Sequence, residues 1–502
     1  MSDLHVTDHK SETASTLDPH TPYRWRWIAL AVLLAAEAMD MLDALVANVA
    51  APSIRADLGG GESTMQWLGS AYALAMAVGL ITGGRLGDIV GRKKMFLIGA
   101  AGFTAASVLC ALAISPGMLV GARGLQGLLG AIMIPQGIGI ISEMFHGREL
   151  GKAFGMFGPV MGLATIGGPV LAGFLIEADV FGAGWRMIFA INLPLGLLAL
   201  IGGWKFLPES HSDTPPRLDL VGAGLASIAA LLLVFPLVQG RETGWPLWTF
   251  VSITAGLLVF VYFGRYESRK AKAGGDPLVV PSLFGKRAFS GGLIVGATIF
   301  AALTGFSLIL SLFLQTGLGY SPLHAGLGSL PWSIGMVLGF VSIQIGEPSG
   351  LIERLGRTVI QTGLAVMALG LALLVLTLHL TASSTITVMH IAPALIVAGL
   401  GMGLILGPFF DTVLSAVEPH ETGSASGTIT AIQQLGAALG TAVLGTVYFS
   451  TIANHGTVIS MTIALWSGIA LLAVAVLATL LLPRPNRRQA ANSDAPRAGE
   501  TA

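Results

Sequence analysis

The chain has 502 residues, 53% of them hydrophobic and 11% charged, with 27 basic against 27 acidic side chains, and a mean hydropathy of +0.77. This excludes an ordinary soluble domain and describes a chain whose solvent is mostly lipid. A formal charge of zero implies no nucleic-acid footprint, and the single cysteine, Cys110, leaves no intrachain disulfide or cysteine metal site.

Residues 1–26 are polar and carry Asp3, Asp8, Glu12 and Asp18, unlike a cleaved signal peptide, and read as a cytoplasmic tail. A helix needs about 20 apolar residues to cross a hydrocarbon core. Fourteen runs approach that length, beginning near Trp27, Met65, Met95, Met118, Lys152, Trp185, Leu218, Pro246, Phe289, Leu323, Thr358, Ile386, Ser424 and Thr457. The predicted fold is all-α, a polytopic membrane protein with fourteen transmembrane helices. Residues 27–207 form an amino-terminal six-helix domain and 208–288 a linker with inserted helices seven and eight. Residues 289–482 form a carboxy-terminal six-helix domain, and 483–502 a second cytoplasmic tail.

A repeat supports the two halves. Asp88-x-x-Gly91-Arg92 lies between the second and third runs, and Glu353-x-x-Gly356-Arg357 between the tenth and eleventh, so acid, glycine and arginine recur in register. With the amino terminus inside, 23 of the 27 basic residues fall in the tails and even-numbered loops, as the positive-inside rule requires. Asp88, Arg92, Glu353 and Arg357 are expected to form a cytoplasmic gate, with Asp88 capping a helix of the opposite half and the arginines pairing with Glu143 or Glu149.

Charged side chains inside a membrane cost at least ~2.5 kcal/mol each on insertion scales and persist mainly where they act. Glu37, Asp40 and Asp43, three residues apart on the first run, share one face, and Asn48 returns close to the direction of Glu37. Repulsion among them favours a proton on at least one, so these three are the proton-coupling candidates. Arg123, on the fourth run with Gln126, Gly127 and Gly130 on its face, is the basic residue expected to pair with them. The fifth run, rich in glycine and proline, reads as a hinge at Gly168 and Pro169 and not as a binding surface. Asn48, Trp67, Tyr72, Gln126 and Gln315 are candidate substrate contacts.

These motifs resemble the fourteen-helix drug:proton antiporters of the major facilitator superfamily, the quaternary-ammonium exporter type. Residues 84–94 are similar to the superfamily's loop motif, Arg123-Gly-Leu-Gln126-Gly127 to its proton-transfer motif, and Gly155-x8-Ala164-x3-Gly168-Pro169-x2-Ala172-Gly173 to its antiporter motif, with alanine at two usual glycines. Leu42-Asp43-Ala44-Leu45-Val46-Ala47-Asn48-Val49-Ala50, Trp185-Arg186 with Ile191-Asn192-Leu193-Pro194, and Leu314-Gln315 with Ser321-Pro322-x2-Ala325-Gly326 resemble features of the fourteen-helix group. The resemblance implies export of amphipathic, often cationic compounds in exchange for protons across the cytoplasmic membrane, with Asp43 matching the family's helix-one aspartate. Protons would be the coupling ion, with no cofactor or metal, in a lipid-embedded monomer. Protons loading the acids would displace cargo, and freed carboxylates would attract the next cation. Alternatives are export of an endogenous lipid or a self-made antibiotic. A polytopic membrane enzyme is disfavoured, since none of the ten histidines opens a His-x4-Asp pattern.

Overall fold

The computed structural model describes residues 23–145, 148–209, 217–346, 357–382, 385–414, 417 and 422–482. Glu353 of the expected gate and most of both tails lie outside them. The described residues are almost wholly helical. The amino-terminal half contains α1 (Arg26–Leu58), α2 (Glu62–Val90), α3 (Arg92–Ala111), α4 (Pro116–Met144), α5 (Phe157–Glu177) and α6 (Asn192–Phe206). Two peripheral helices follow, α7 (Leu220–Gln239) and α8 (Leu247–Lys272). The other half contains α9 (Arg287–Leu312), α10 (Leu330–Gly346), α11 (Arg357–Leu380), α12 (Val388–Leu414) and α13 (Thr422–Ala478).

Several predicted runs are interrupted for local reasons. The fifth starts earlier than Lys152, as a short helix Arg148–Gly155, and restarts as α5 past a break at Met156. The tenth is the turn Pro322–Gly328, capped by Ser321, followed by α10. The last two runs abut end to end as α13, two helical stretches that meet at a kink where Gly456 takes φ 74° and ψ 175°, a positive φ that glycine reaches without a Cβ clash. Among the described residues, eleven helical spans are long and apolar enough to cross a membrane. α1 is not among them, and its sequence carries the three acids.

Small residues set the helix spacing. A Cβ on Gly127 of α4 would strike the Tyr72 carbonyl of α2, and one on Gly440 of α13 would strike Ala301 of α9, so these backbones cross in direct contact. The halves meet along a seam tied near the Leu58 end of the bundle. There Ser311 donates to the Asn48 carbonyl at 2.9 Å, Gln315 to the Val49 carbonyl at 2.8 Å, and Ser70 to the Ala438 carbonyl at 3.2 Å.

The peripheral pair packs α7 against α2 and α13 and is fastened to α2 at both ends. At one end Arg241 pairs with Glu62 at 2.8 Å and Glu242 accepts from the Ser63 amide at 2.8 Å. Burial opposes ionisation of Glu242, but Ser63 and Arg241 outweigh it and hold the carboxyl below the usual glutamate range. At the other end Arg85 donates to the carbonyls of Arg217, Pro277 and Leu278.

The crossing at Gly127 gives a direct test. Gly127→Val should lower thermal stability in detergent by about 1–3 kcal/mol or more through overpacking, whereas Gly124→Ala, whose Cβ meets nothing within 4 Å, should melt like the parent.

Candidate functional site

Five helices converge on one carboxylate. Asp43 of α1 accepts from Gln126 Nε2 of α4 at 2.9 Å and from Asn192 Nδ2 of α6 at 2.7 Å, and its other oxygen takes Arg123 Nη1 of α4. Ser107 of α3 receives the same two amides at 2.8 and 3.2 Å. From α2 the Leu68 carbonyl accepts Arg123 Nε at 3.1 Å. The Tyr72 ring lies 4.3 Å beneath the guanidinium, a cation–π contact, and the Tyr72 hydroxyl donates to Asp40.

The Asp43 and Arg123 side chains are both 0% exposed. A buried pair survives only when its remaining polar atoms are satisfied and the geometry is good. Asp43 meets that condition through two amides. Arg123 nearly does, leaving Nη2 as the one guanidinium nitrogen without a partner among the described residues. Asp40 is buried beside Gly130, where a Cβ would come within 3.0 Å of its carboxylate oxygen. The glycines on the Arg123 face thus serve two ends: Gly127 admits α2 and Gly130 makes room for an acid.

Glu37 differs from its two neighbours. It is half-buried, on the half-exposed stripe of α1 that continues through Met41 and Leu45 to Asn48, and it makes no hydrogen bond or ion pair with another described residue.

The lower part of that stripe faces a cavity between the halves, enclosing about 550 Å³ of empty space, part of it open solvent. Its walls come from α1 (Leu45, Asn48, Val49), α5 (Thr165, Pro169), α9 and the π-helical turn after it, and α10. Ser333 of α10 donates to the Thr165 carbonyl of α5 at 3.2 Å across the seam. No charged side chain lines the cavity among the described residues.

Several expectations change as a result. Of the expected substrate contacts, Asn48 lines the cavity, but Tyr72 and Gln126 are consumed by the buried network. Trp67 packs on Phe235 of α7 with ring centroids 5.9 Å apart, and Gln315 is tied to Val49 and Ser311. α5 is more than a hinge: Pro169 lines the cavity, and Gly168 sits against Leu42 and Leu45 of α1. Among the described residues Asp88 pairs with Arg92 at 3.0 Å, and Arg92 with Glu143 at 2.6 Å as expected; the residues just before α11 and α13, where a cap in the opposite half would fall, lie outside the described residues. Glu149 takes Arg26 instead. Arg357 donates to the Leu480 and Leu482 carbonyls at 3.3 Å each. Asp43 and Asp40, 1% and 8% exposed, are not among the residues that line this cavity. Asn192, noted for the family resemblance only, and Ser107 complete the network without having been expected there; Ser107 is a lone polar residue inside an apolar run, a weak signal on its own.

Removing one member of the ion pair should reveal its energetic role. Arg123→Leu should cost about 3–5 kcal/mol by stranding Asp43, and pairing it with Asp43→Leu should recover much of that loss in thermal melts. Glu37→Gln, which strands nothing, should melt within about 0.5 kcal/mol of the parent.

Residues 33–441 match the Major Facilitator Superfamily. The chain is 49% identical over 436 residues to a probable actinorhodin transporter of Streptomyces coelicolor, covering 87% of this chain and 75% of that one. It is 32% identical over 444 residues to a tetracenomycin C resistance and export protein of Streptomyces glaucescens, covering 87% and 79%. Among solved structures, a POT peptide transporter in complex with sulfate superposes with a TM-score of 0.64 at 17% identity over 90% of this chain and 95% of that one. With the eleven apolar spans and the seam between two halves, these matches show a multi-pass membrane transporter: the chain belongs to the Major Facilitator Superfamily.

Proposed function

We propose that this chain exports small drug-like molecules, a self-made antibiotic among them, across the cytoplasmic membrane in exchange for protons. The supporting observation is the position of α1, which carries a buried Asp43–Arg123 pair on one side and cavity-lining Asn48 on another. The names of the relatives support the cargo class, since they are described as carrying or conferring resistance to antibiotics. Fourteen crossings remain the preferred topology. They are the eleven apolar spans, α1, α5, and a division of α13 at Gly456. Both termini then lie in the cytoplasm, in keeping with the basic residues, and one chain encloses the cavity, so a monomer suffices.

In this reading α1 transmits the proton's effect without sharing a charge with the cargo. Glu37 is the half-buried acid at the far end of the α1 stripe that leads to the cavity, and Asp40 stands between it and Asp43. A proton arriving at Asp43 cancels the charge opposite Arg123, which keeps the Leu68 carbonyl, Gln126 and the Tyr72 ring as partners. The attraction holding α4 to α1 then weakens, and α1 is freed to move against α9 and α5, which share the cavity with it. Alternating exposure of the cavity follows from rocking of one half against the other.

The test is transport by the purified protein in proteoliposomes with and without an imposed pH gradient, screened over cationic dyes, uncharged aromatic compounds and lipids. Gradient-driven movement should fall at least tenfold in Asp43→Asn and in Glu37→Gln. Equal cargo movement without a gradient would contradict proton exchange, and movement of lipid alone would reassign the cargo.

A further inference from the structure

Two polar side chains in the cavity have no hydrogen-bond partner among the described residues. The Asn48 carboxamide of α1 and the Ser307 hydroxyl of α9 are half-exposed on the cavity wall, and neither side chain makes a hydrogen bond with another described residue. The other hydroxyls differ: Ser311 is bonded to Asn48 O, Ser333 to Thr165 O and Ser329 to Gly326 O. The two open groups come from opposite halves, so one ligand touching both would bridge the seam. Beside them Phe306 and Trp332 form an aromatic wall, with ring centroids 4.9 Å apart.

We infer that this cavity recognises an uncharged aromatic molecule bearing hydroxyl or carbonyl groups, held between the Asn48 carboxamide and the Ser307 hydroxyl against the Phe306–Trp332 wall. The inference rests on the export reading and narrows its cargo. Each open group can both donate and accept, which suits a phenol or a ketone. An organic cation entering the same space would surrender hydration without meeting a counter-charge. The acid on the matching stripe, Glu37, lies roughly 16 Å back along α1, and Asp43 is sealed behind Arg123. Cation preference, the expectation from family resemblance, therefore finds no support in the wall of this cavity.

Equilibrium dialysis with the full-length protein in lipid nanodiscs tests this, using 1,8-dihydroxyanthraquinone and the permanent cation ethidium as probes. The anthraquinone should bind at least tenfold more tightly than ethidium. Ser307→Ala and Asn48→Ala should each weaken the anthraquinone about five- to tenfold and leave ethidium unchanged. Ser307→Ala strands no partner, so its folding is not at risk. Equal or tighter binding of ethidium, or an unchanged anthraquinone affinity in Ser307→Ala, would overturn the inference. Gradient-driven transport of ethidium alone would also overturn it while leaving export standing. If neither probe moves in proteoliposomes nor does any other cargo, the export reading fails, and dialysis still decides what the cavity prefers.

Discussion

The buried ion pair between Asp43 and Arg123 is the constraint around which the amino-terminal half is arranged. Two opposite charges in a dry interior are tolerable only together and only when hydrogen-bonded. α3 and α6 therefore contribute Ser107 and Asn192, while α2 contributes the Leu68 carbonyl and the Tyr72 ring. The glycines of α4 follow from the same need, since Gly127 brings α2 close enough for Tyr72 to lie under the guanidinium. Such a pair adds little net stability over an apolar replacement, but it makes the packing of α1, α2 and α4 depend on one ionisable group. A proton there has leverage that it would lack on the surface.

Separation of charge from cargo is the second consequence. α1 turns its carboxylate Asp43 into the half and its Asn48 toward the seam, so the ion pair and the cavity share a helix without sharing a surface. The neutral wall around Phe306 and Trp332 suits molecules whose hydration is cheap to remove. The peripheral pair α7 and α8 stands outside this arrangement, fastened to α2 through Arg241 and Glu242 at one end and Arg85 at the other. It adds a layer beside the α2–α13 contact and contributes nothing to the cavity lining.

Much of this was legible in the sequence, for physical reasons that can be named. Long apolar runs and the cost of intramembrane charge singled out the helices, the three acids of α1 and Arg123. Helical spacing placed Gln126, Gly127 and Gly130 on the arginine's face. What remained hidden was which neighbour each face would meet. Tyr72 reads as a cavity aromatic until Arg123 is found above its ring, and Gln315 reads as a polar contact until the Val49 carbonyl is found beside it. Asn192 and Ser107 are single polar residues whose value depends on three-dimensional convergence. The contribution of α5 to the cavity was obscured by its glycines, which signal close packing but not what lies across the gap.

The claim that the charge on Asp43 governs the relative placement of the halves is tested most directly by electron–electron spin distances between labels at Lys94 and Thr358, exposed sites on α3 and α11 in opposite halves. The account predicts that removing the charge in Asp43→Asn shifts the distance distribution away from the parent's under identical conditions, while Gly124→Ala leaves it unchanged. An Asp43→Asn protein with the parent's distribution would contradict it.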